Sequence, residues 1–238
     1  MKITLNTDWP WPTSAKTTSD AKWAAALLPP NRPVVVACGG AALMALPVRK
    51  VEVVNDLRGD VHNFYRVVRD AQSRRELLEL IDAGTAPVAL LAAVRPNDPI
   101  LAAYHFYHSC HRTWVPDMSS RWLLRRHVAR PFSDAARLLN PIIDRFYSAQ
   151  IEDLPAANVI ARYDTAQTVH LVDLTLAAAD TVLDILVALT KIKGRAVVLG
   201  IPKADQELLS GWRTVVQPFG KTPHVALVNF PERRKVAA

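Results

Sequence analysis

Four residues able to bind a transition metal, His105, His108, Cys110 and His111, crowd one short stretch. Their spacing does not match a common zinc pattern, and no second cluster of cysteines and histidines completes a set, so no metal is expected. The chemistry then turns cationic, with Arg112, Arg121, Arg125, Arg126, His127 and Arg130 interleaved with Trp114 and Trp122. Guanidinium groups on a helix contact phosphates, so this stretch reads as DNA-facing, with a solvated face as the alternative. Two carboxylates stand at the ends of apolar runs: Asp56 after Val51-Glu52-Val53-Val54, and Asp173 after Val169 to Val172. Each is also placed to cap the segment that follows it. No Gly-x-Ser-x-Gly, P-loop or paired-carboxylate hydrolase constellation is present, which sets hydrolase and kinase chemistry aside.

The elements that must position these residues alternate. A helix from Ser19 to Leu28 stops at Pro29-Pro30, and the β-branched run Val34-Val35-Val36 ends in Gly39-Gly40, a buried strand followed by a tight turn and a helix. That is a Rossmann-type opening. A second strand over Val51 to Val54 precedes an amphipathic helix through Phe64, Tyr65, Val67 and Val68. From about Arg74 to Ala149 strand signals stop, and helical stretches broken by Pro116, Pro131 and Pro141 predict an inserted lobe. Strands are expected again at Asn158-Val159-Ile160, Val169 to Val172, Arg195 to Leu199 and Val225 to Val228, with a helix over 179 to 192. The predicted architecture is an α/β sheet covered on both faces, carried by residues 1–73 and 150–238, with 74–149 inserted.

Half of the 238 residues are hydrophobic, enough for a full core. Lysine and arginine exceed aspartate and glutamate by 29 − 22 = +7, and a pI near 9.6 favours a polyanionic partner, nucleic acid ahead of a membrane surface. Two cysteines cannot build a disulfide framework, and Asp8, Trp9 and Pro10 interrupt any leader-like run, so a reducing cytoplasm is the expected setting. The apolar stretch from Leu176 to Leu189 contains Asp180 and Asp184, which predicts a core helix and no membrane association.

The segment running from Val51 through Asn55-Asp56-Leu57 to Asn63-Phe64-Tyr65-Arg66-Val67 resembles the signature of D12-class DNA adenine-N6 methyltransferases, a strand ending in Asn-Asp-Leu before a helix with Asn-Phe-Tyr/Phe-Arg-Val. Further stretches resemble the family in order: Gln150-Ile151-Glu152 with Arg162-Tyr163-Asp164-Thr165, then Lys193 to Gly200, then Gly211-Trp212-Arg213 and Val225 to Asn229. The resemblance covers most of the chain outside the insert, and in this family the insert helps to recognise the DNA target. It implies a Rossmann-like S-adenosylmethionine-dependent methyltransferase sheet. S-adenosyl-L-methionine would sit at the first strand ends, with Gly39 and Gly40 forming the turn that backbone approach needs, Asp56 taking the ribose hydroxyls and Lys16 near the methionine end. Asp173 would be the catalytic residue, and Arg112, Arg121, Arg125, Arg126 and Arg130 the DNA contacts.

Three motifs depart from the family. Its Phe-x-Gly-x-Gly is Ala37-Cys38-Gly39-Gly40-Ala41 here, and its Pro-Gly-Gly-Lys is Pro12-Thr13-Ser14-Ala15-Lys16. Its Asp-Pro-Pro-Tyr is Asp173-Leu174-Thr175-Leu176, without the prolines that aim a carbonyl or the aromatic face that stacks on a flipped base. The expected function is therefore a DNA-binding methyltransferase-like protein without ordinary catalysis, or one dependent on a protein partner or homodimer within a DNA-modification system of the restriction or phage kind. The alternatives are an active adenine-N6 methyltransferase with unusual geometry or a modified-base substrate, and a dimerising scaffold that binds no nucleic acid.

Overall fold

The computed structural model describes residues 15–83, 97–112, 135–217 and 224–231. Packing divides the chain into two compact units, Met1–Thr18 with Arg58–Ile151, and Ser19–Leu57 with Glu152–Ala238.

Between Gly59 and Tyr147 the first unit is helical in most of what is described. Helix α2 (Gly59–Arg69) buries Val61, Phe64, Tyr65 and Val68, positions three and four apart that form one apolar face. It stops at Asp70, whose carboxylate accepts from the Ser73 N–H at 2.8 Å and so starts α3 (Ala71–Asp82). Asp98 opens α4 (Pro99–Arg112) by accepting from the N–H groups of Ile100 and Leu101, both at 2.8 Å. Helix α5 (Ala135–Tyr147) continues through Pro141, an expected breaker, and buries Leu139, Ile142 and Phe146 along one stripe. Rings join the layers: Tyr65 stacks on Phe146 at 4.3 Å, and Phe64 meets Phe106 at 5.1 Å. The boundary at Arg74 marks where strand signals stop in the sequence, whereas the division at Arg58 marks where α2 begins packing on α3, α4 and α5.

The second unit carries all of the sheet but Gln150 and Ile151. Helix α1 (Ala15–Leu27) precedes β1 (Val34–Cys38), then come β2 (Glu52–Asn55), β3 (Gln150–Glu152), α6 (Ala156–Tyr163), β4 (Val169–Asp173), α7 (Val182–Leu189), β5 (Arg195–Leu199), β6 (Arg213–Gln217) and β7 (His224–Val228). The seven-stranded order is β3-β2-β1-β4-β5-β7-β6. β1 pairs in parallel with β2 and β4, and β4 with β5, while β7 lies antiparallel between β5 and β6. Every residue of β1 and β4 is buried, as central parallel strands covered on both faces require. Helices α6 and α7 bring Val159, Ile160, Ile185, Leu186 and Leu189 onto a core with Val35, Ala37, Val172 and Val198. The α/β architecture expected from the sequence is present.

The expected strand at Asn158-Val159-Ile160 is instead part of α6. The N–H groups of Asn158 and Val159 both reach the Pro155 carbonyl, and Ala156, Val159 and Ile160 form a helical stripe against the sheet. A two-residue β-branched run carries no period and fits either element. The expected helix over 179–192 is a 3-10 turn at Ala179–Thr181 followed by the shorter α7. β3 and β6 gave no strand signal; one has three residues and the other is only partly buried.

Candidate functional site

In parallel strands all carboxyl ends face one way, so β1, β2, β4 and β5 deliver the residues after them to one edge of the sheet. β1 ends at Cys38, and Gly39 turns the chain with φ 75° and ψ 64°, a left-handed conformation that costs a side-chain-bearing residue free energy. The Gly39 carbonyl accepts from Ala42 N–H at 2.9 Å and opens a 3-10 segment, Gly40–Ala45, where an α-helix was expected. Pairing of β1 with β4 slips by one residue between Val36 and Cys38, and the Ala37 carbonyl there accepts from Asn55 Nδ2 at 2.9 Å. Asn55 also donates to the Leu154 carbonyl and accepts from Leu154 N–H, both at 3.0 Å. This buried amide fastens β1, β2 and the loop after β3, which fixes where Asp56 stands.

Asp56 and Asp173 are both buried, and the charge of each acts on the Cys38 thiol. Burial, then the charge of Asp173, then that of Asp56, push this thiol up to about 12, so it stays protonated and is no nucleophile. Asp173 caps the 3-10 turn Leu174–Leu176: its Oδ1 accepts from Thr175 N–H at 3.0 Å and from Thr175 Oγ1 at 2.6 Å. The turn is wedged between two left-handed glycines. A Cβ on Gly39 would stand 2.4 Å from Leu176 Cδ1, and one on Gly200 (φ 71°), after β5, would stand 2.4 Å from Thr175 Cγ2. Only glycine at both positions lets the turn settle this closely.

The structure therefore brings together Gly39, Gly40, Asp56 and Asp173. A glycine turn beside a buried carboxylate is the donor set expected for a nucleoside cofactor. The fit fails at Leu176, whose side chain covers the face of Gly39 where a ligand would need close backbone approach. Lys16 lies in α1, with its side chain outside the described residues, as is that of Arg112 at the end of α4. Arg121, Arg125, Arg126 and Arg130, with Trp114, Trp122 and His127, also lie outside the described residues. Among the described residues no group of three or more metal-ligating side chains occurs. Also among them, no helix is long and apolar enough to cross a membrane.

Sequence reasoning passed over Asn55 as a fastener, Thr175 as the partner of Asp173, and Gly200. Gly200 alone left a signal, a glycine directly after an apolar strand. A groove of about 700 Å³ runs between α6 and α7, past Ala157, Asp184 and Lys191, and contains none of the expected site residues.

A second polar cluster sits at the opposite, amino-terminal edge of the strands. Asp164 accepts from Lys193 N–H at 2.7 Å, Gly194 N–H at 2.9 Å and His170 Nε2 at 3.2 Å. Burial pushes the Asp164 carboxyl up, but the hydrogen bonds from Lys193, Gly194 and His170 together outweigh it and hold it below the ordinary 3.8. For His170, fully enclosed within β4, burial outweighs the attraction of Asp164 and holds the imidazole below 6.5. This cluster joins α6, β4 and the start of β5, and its role is structural. No protein-family model matches the chain, and a search of curated proteins finds none that matches it.

Proposed function

We propose that this chain is a D12-class methyltransferase-like protein that binds DNA and does not carry out ordinary methyl transfer by itself. Three observations support the reading. A mostly parallel sheet in the order 3-2-1-4-5, extended by an antiparallel 7-6 pair, is compatible with the Rossmann-like fold that this reading requires. The glycine turn and acidic residue meet at its carboxyl edge. The charge of +7 favours a polyanion.

The observation that carries the non-catalytic part is the turn Asp173–Leu176. Adenine N6 is a weak nucleophile because its lone pair is delocalised into the ring, so a site that methylates it must accept its hydrogens on a carboxylate and an aimed carbonyl. Here Asp173 Oδ1 is engaged twice by Thr175 of its own turn. The residue in place of the stacking aromatic is an aliphatic chain lying on Gly39. A displacement of even about 1 Å at such a site costs roughly a hundredfold in rate, which a partner subunit would have to restore by moving the turn.

The test has two arms. Fluorescence anisotropy with labelled duplex DNA is expected to show binding that weakens steeply with salt. Transfer of radiolabelled methyl groups to the same DNA is expected to stay at background. Robust incorporation by the isolated chain, abolished by Asp173→Ala, would establish the active-enzyme alternative, and absence of salt-dependent binding would remove DNA as the partner.

A further inference from the structure

The groove between α6 and α7 takes no part in the candidate site, and its walls lie within 150–217, every residue of which the structure describes. Both helices run from the carboxyl edge of the sheet to the amino edge, where Asp164 after α6 holds the N–H groups of Lys193 and Gly194 after α7. Small side chains, Ala157 and Ala161 on α6 and Ala188 on α7, leave it open at about 700 Å³. It meets solvent along Asp184, Val187 and Lys191, all exposed, Val187 by 40%. With Ala188 these residues recur at intervals of three, four and seven, which is one face of a helix. The Thr190 and Lys191 N–H groups, each 3.1 Å from the carbonyls of Leu186 and Ala188 respectively, carry the turn on to Lys191. Ile185, Leu186 and Leu189 fill the core, so this face is left without a cover. Asp184 stands in the first turn and Lys191 past the last, about 10 Å away along the axis. Among the described residues neither forms an ion pair. Lys193 adds a second ammonium group at the Lys191 end of the groove.

We propose that α7 docks antiparallel on α7 of a second copy of this chain, each seated in the other's groove about a twofold axis midway between Val187 and Ala188. The face is its own complement. Its order of acid, apolar pair and base reads in reverse as base, apolar pair and acid. Asp184 therefore meets the partner's Lys191, Lys191 meets the partner's Asp184, and Val187 packs on the partner's Ala188. A parallel pairing would set carboxylate against carboxylate and ammonium against ammonium, which is repulsive at both ends. A foreign helix of one charge sign would meet like charge at one end of the groove, whereas this chain's own α7 does not. The alanines let the helices approach closely, and two α6–α7 pairs then pack as a bundle of four. The contact is isologous and closes as a dimer. Helices of two turns bury little area beside a permanent interface, so the dimer is weak, with a micromolar dissociation constant.

Sedimentation velocity on the full chain, from low micromolar to several hundred micromolar, reads the equilibrium directly. Wild type is expected to shift from monomer to dimer across that range. Asp184→Lys gives both ends of the face a positive charge and Lys191→Asp gives both a negative one, so each variant alone is expected to self-associate at least about tenfold more weakly. Mixed in equal amounts, the two regain opposite charges at both ends, and a heterodimer of near wild-type affinity is expected. Val187→Lys sets two ammonium groups beside the axis and is expected to stay monomeric. Val187 is exposed and lysine favours a helix more than valine does, so this variant folds and keeps the test decisive if a charge variant does not. A wild-type monomer at every concentration, charge variants that dimerise as wild type does, a mixture that stays monomeric, or a dimer indifferent to Val187→Lys would each overturn the proposal. None of these outcomes depends on whether the chain binds DNA or S-adenosylmethionine.

Discussion

If Asp173 is held by its own turn, removing it should cost stability, and the size of that cost follows from the two bonds it makes. Asp173→Ala deletes the acceptor for Thr175 N–H and for Thr175 Oγ1. Capping residues of this kind contribute about 0.5–2 kcal/mol. Thr175 is exposed, so water replaces part of what is lost, which places the expected cost at about 1 kcal/mol. For a chain of this length that corresponds to a fall in melting temperature of about 2–4 °C. Thr175→Val removes the hydroxyl but keeps the N–H and the methyl against Gly200, so its cost is smaller, about 0.5 kcal/mol. Because both act through one carboxylate, the double variant should be no less stable than Asp173→Ala alone, a clear failure of additivity. Urea unfolding of the four proteins measures the cycle. A carboxylate reserved for a substrate behaves oppositely, since its removal leaves stability unchanged or raises it. An Asp173→Ala protein as stable as wild type, with Thr175→Val additive to it, would refute the self-capping account.

Other consequences can be measured on the same preparations. Leu176→Ala uncovers Gly39; as Leu176 is 48% exposed, the truncation should cost no more than about 1 kcal/mol, and calorimetric titration should show S-adenosylmethionine affinity raised at least tenfold, whereas equal affinities would mean that Leu176 is not the cover. Gly194→Ala would place a Cβ 2.7 Å and 2.8 Å from the Thr168 and Thr165 carbonyl oxygens, and chemical denaturation should show a loss of about 1–3 kcal/mol. The imidazole of His170 is held below its ordinary 6.5, so its contribution is complete above that pH and is lost as pH falls through the lower folded value. The Asp164 carboxyl, held below 3.8, adds a second loss only at still lower pH. Urea midpoints from pH 7.5 down to 4.5 should therefore fall in wild type and stay flatter in His170→Gln, which keeps a donor toward Asp164 but does not titrate.

The legible parts of the fold were those where one physical demand acted on many residues. Val34-Val35-Val36 and Arg195 to Leu199 read as strands because they are buried on both faces and admit little besides branched apolar side chains. α2 read as an amphipathic helix through Phe64, Tyr65, Val67 and Val68, all of which it buries together with Val61. Val159 and Ile160 misled because two residues carry no period, and the Pro155 carbonyl that starts α6 leaves no distinctive composition. At the candidate site, Gly39, Asp56 and Asp173 were singled out by their places at strand ends and by the family resemblance. The contact of Leu176 with Gly39 was not legible, because it is made across strands and leaves no local trace. The same holds for Asn55, whose three hydrogen bonds reach residues 18 and 99 positions away.

The contacts at the carboxyl edge share a physical direction. A site that acts on a ligand keeps polar groups under-satisfied and backbone aimed, a state that the surrounding structure must hold at a cost in stability. Here the opposite holds at each point. Asp173 Oδ1 is engaged by Thr175, the turn rests on Gly200, and Leu176 covers Gly39. Each contact lowers the free energy of the closed arrangement and raises the amount a ligand must return to open it. On the proposed reading, the affinity of a cofactor would be reduced in proportion to the fraction of molecules in an open state, so a few kcal/mol of such closure would suffice to prevent binding. A partner or a DNA duplex that grips the turn would shift the same equilibrium the other way, but only by its differential affinity for the open form. The ratio of S-adenosylmethionine affinities measured with and without duplex DNA reads that coupling directly, and a ratio of one, with both ligands bound, would show that the turn answers to neither.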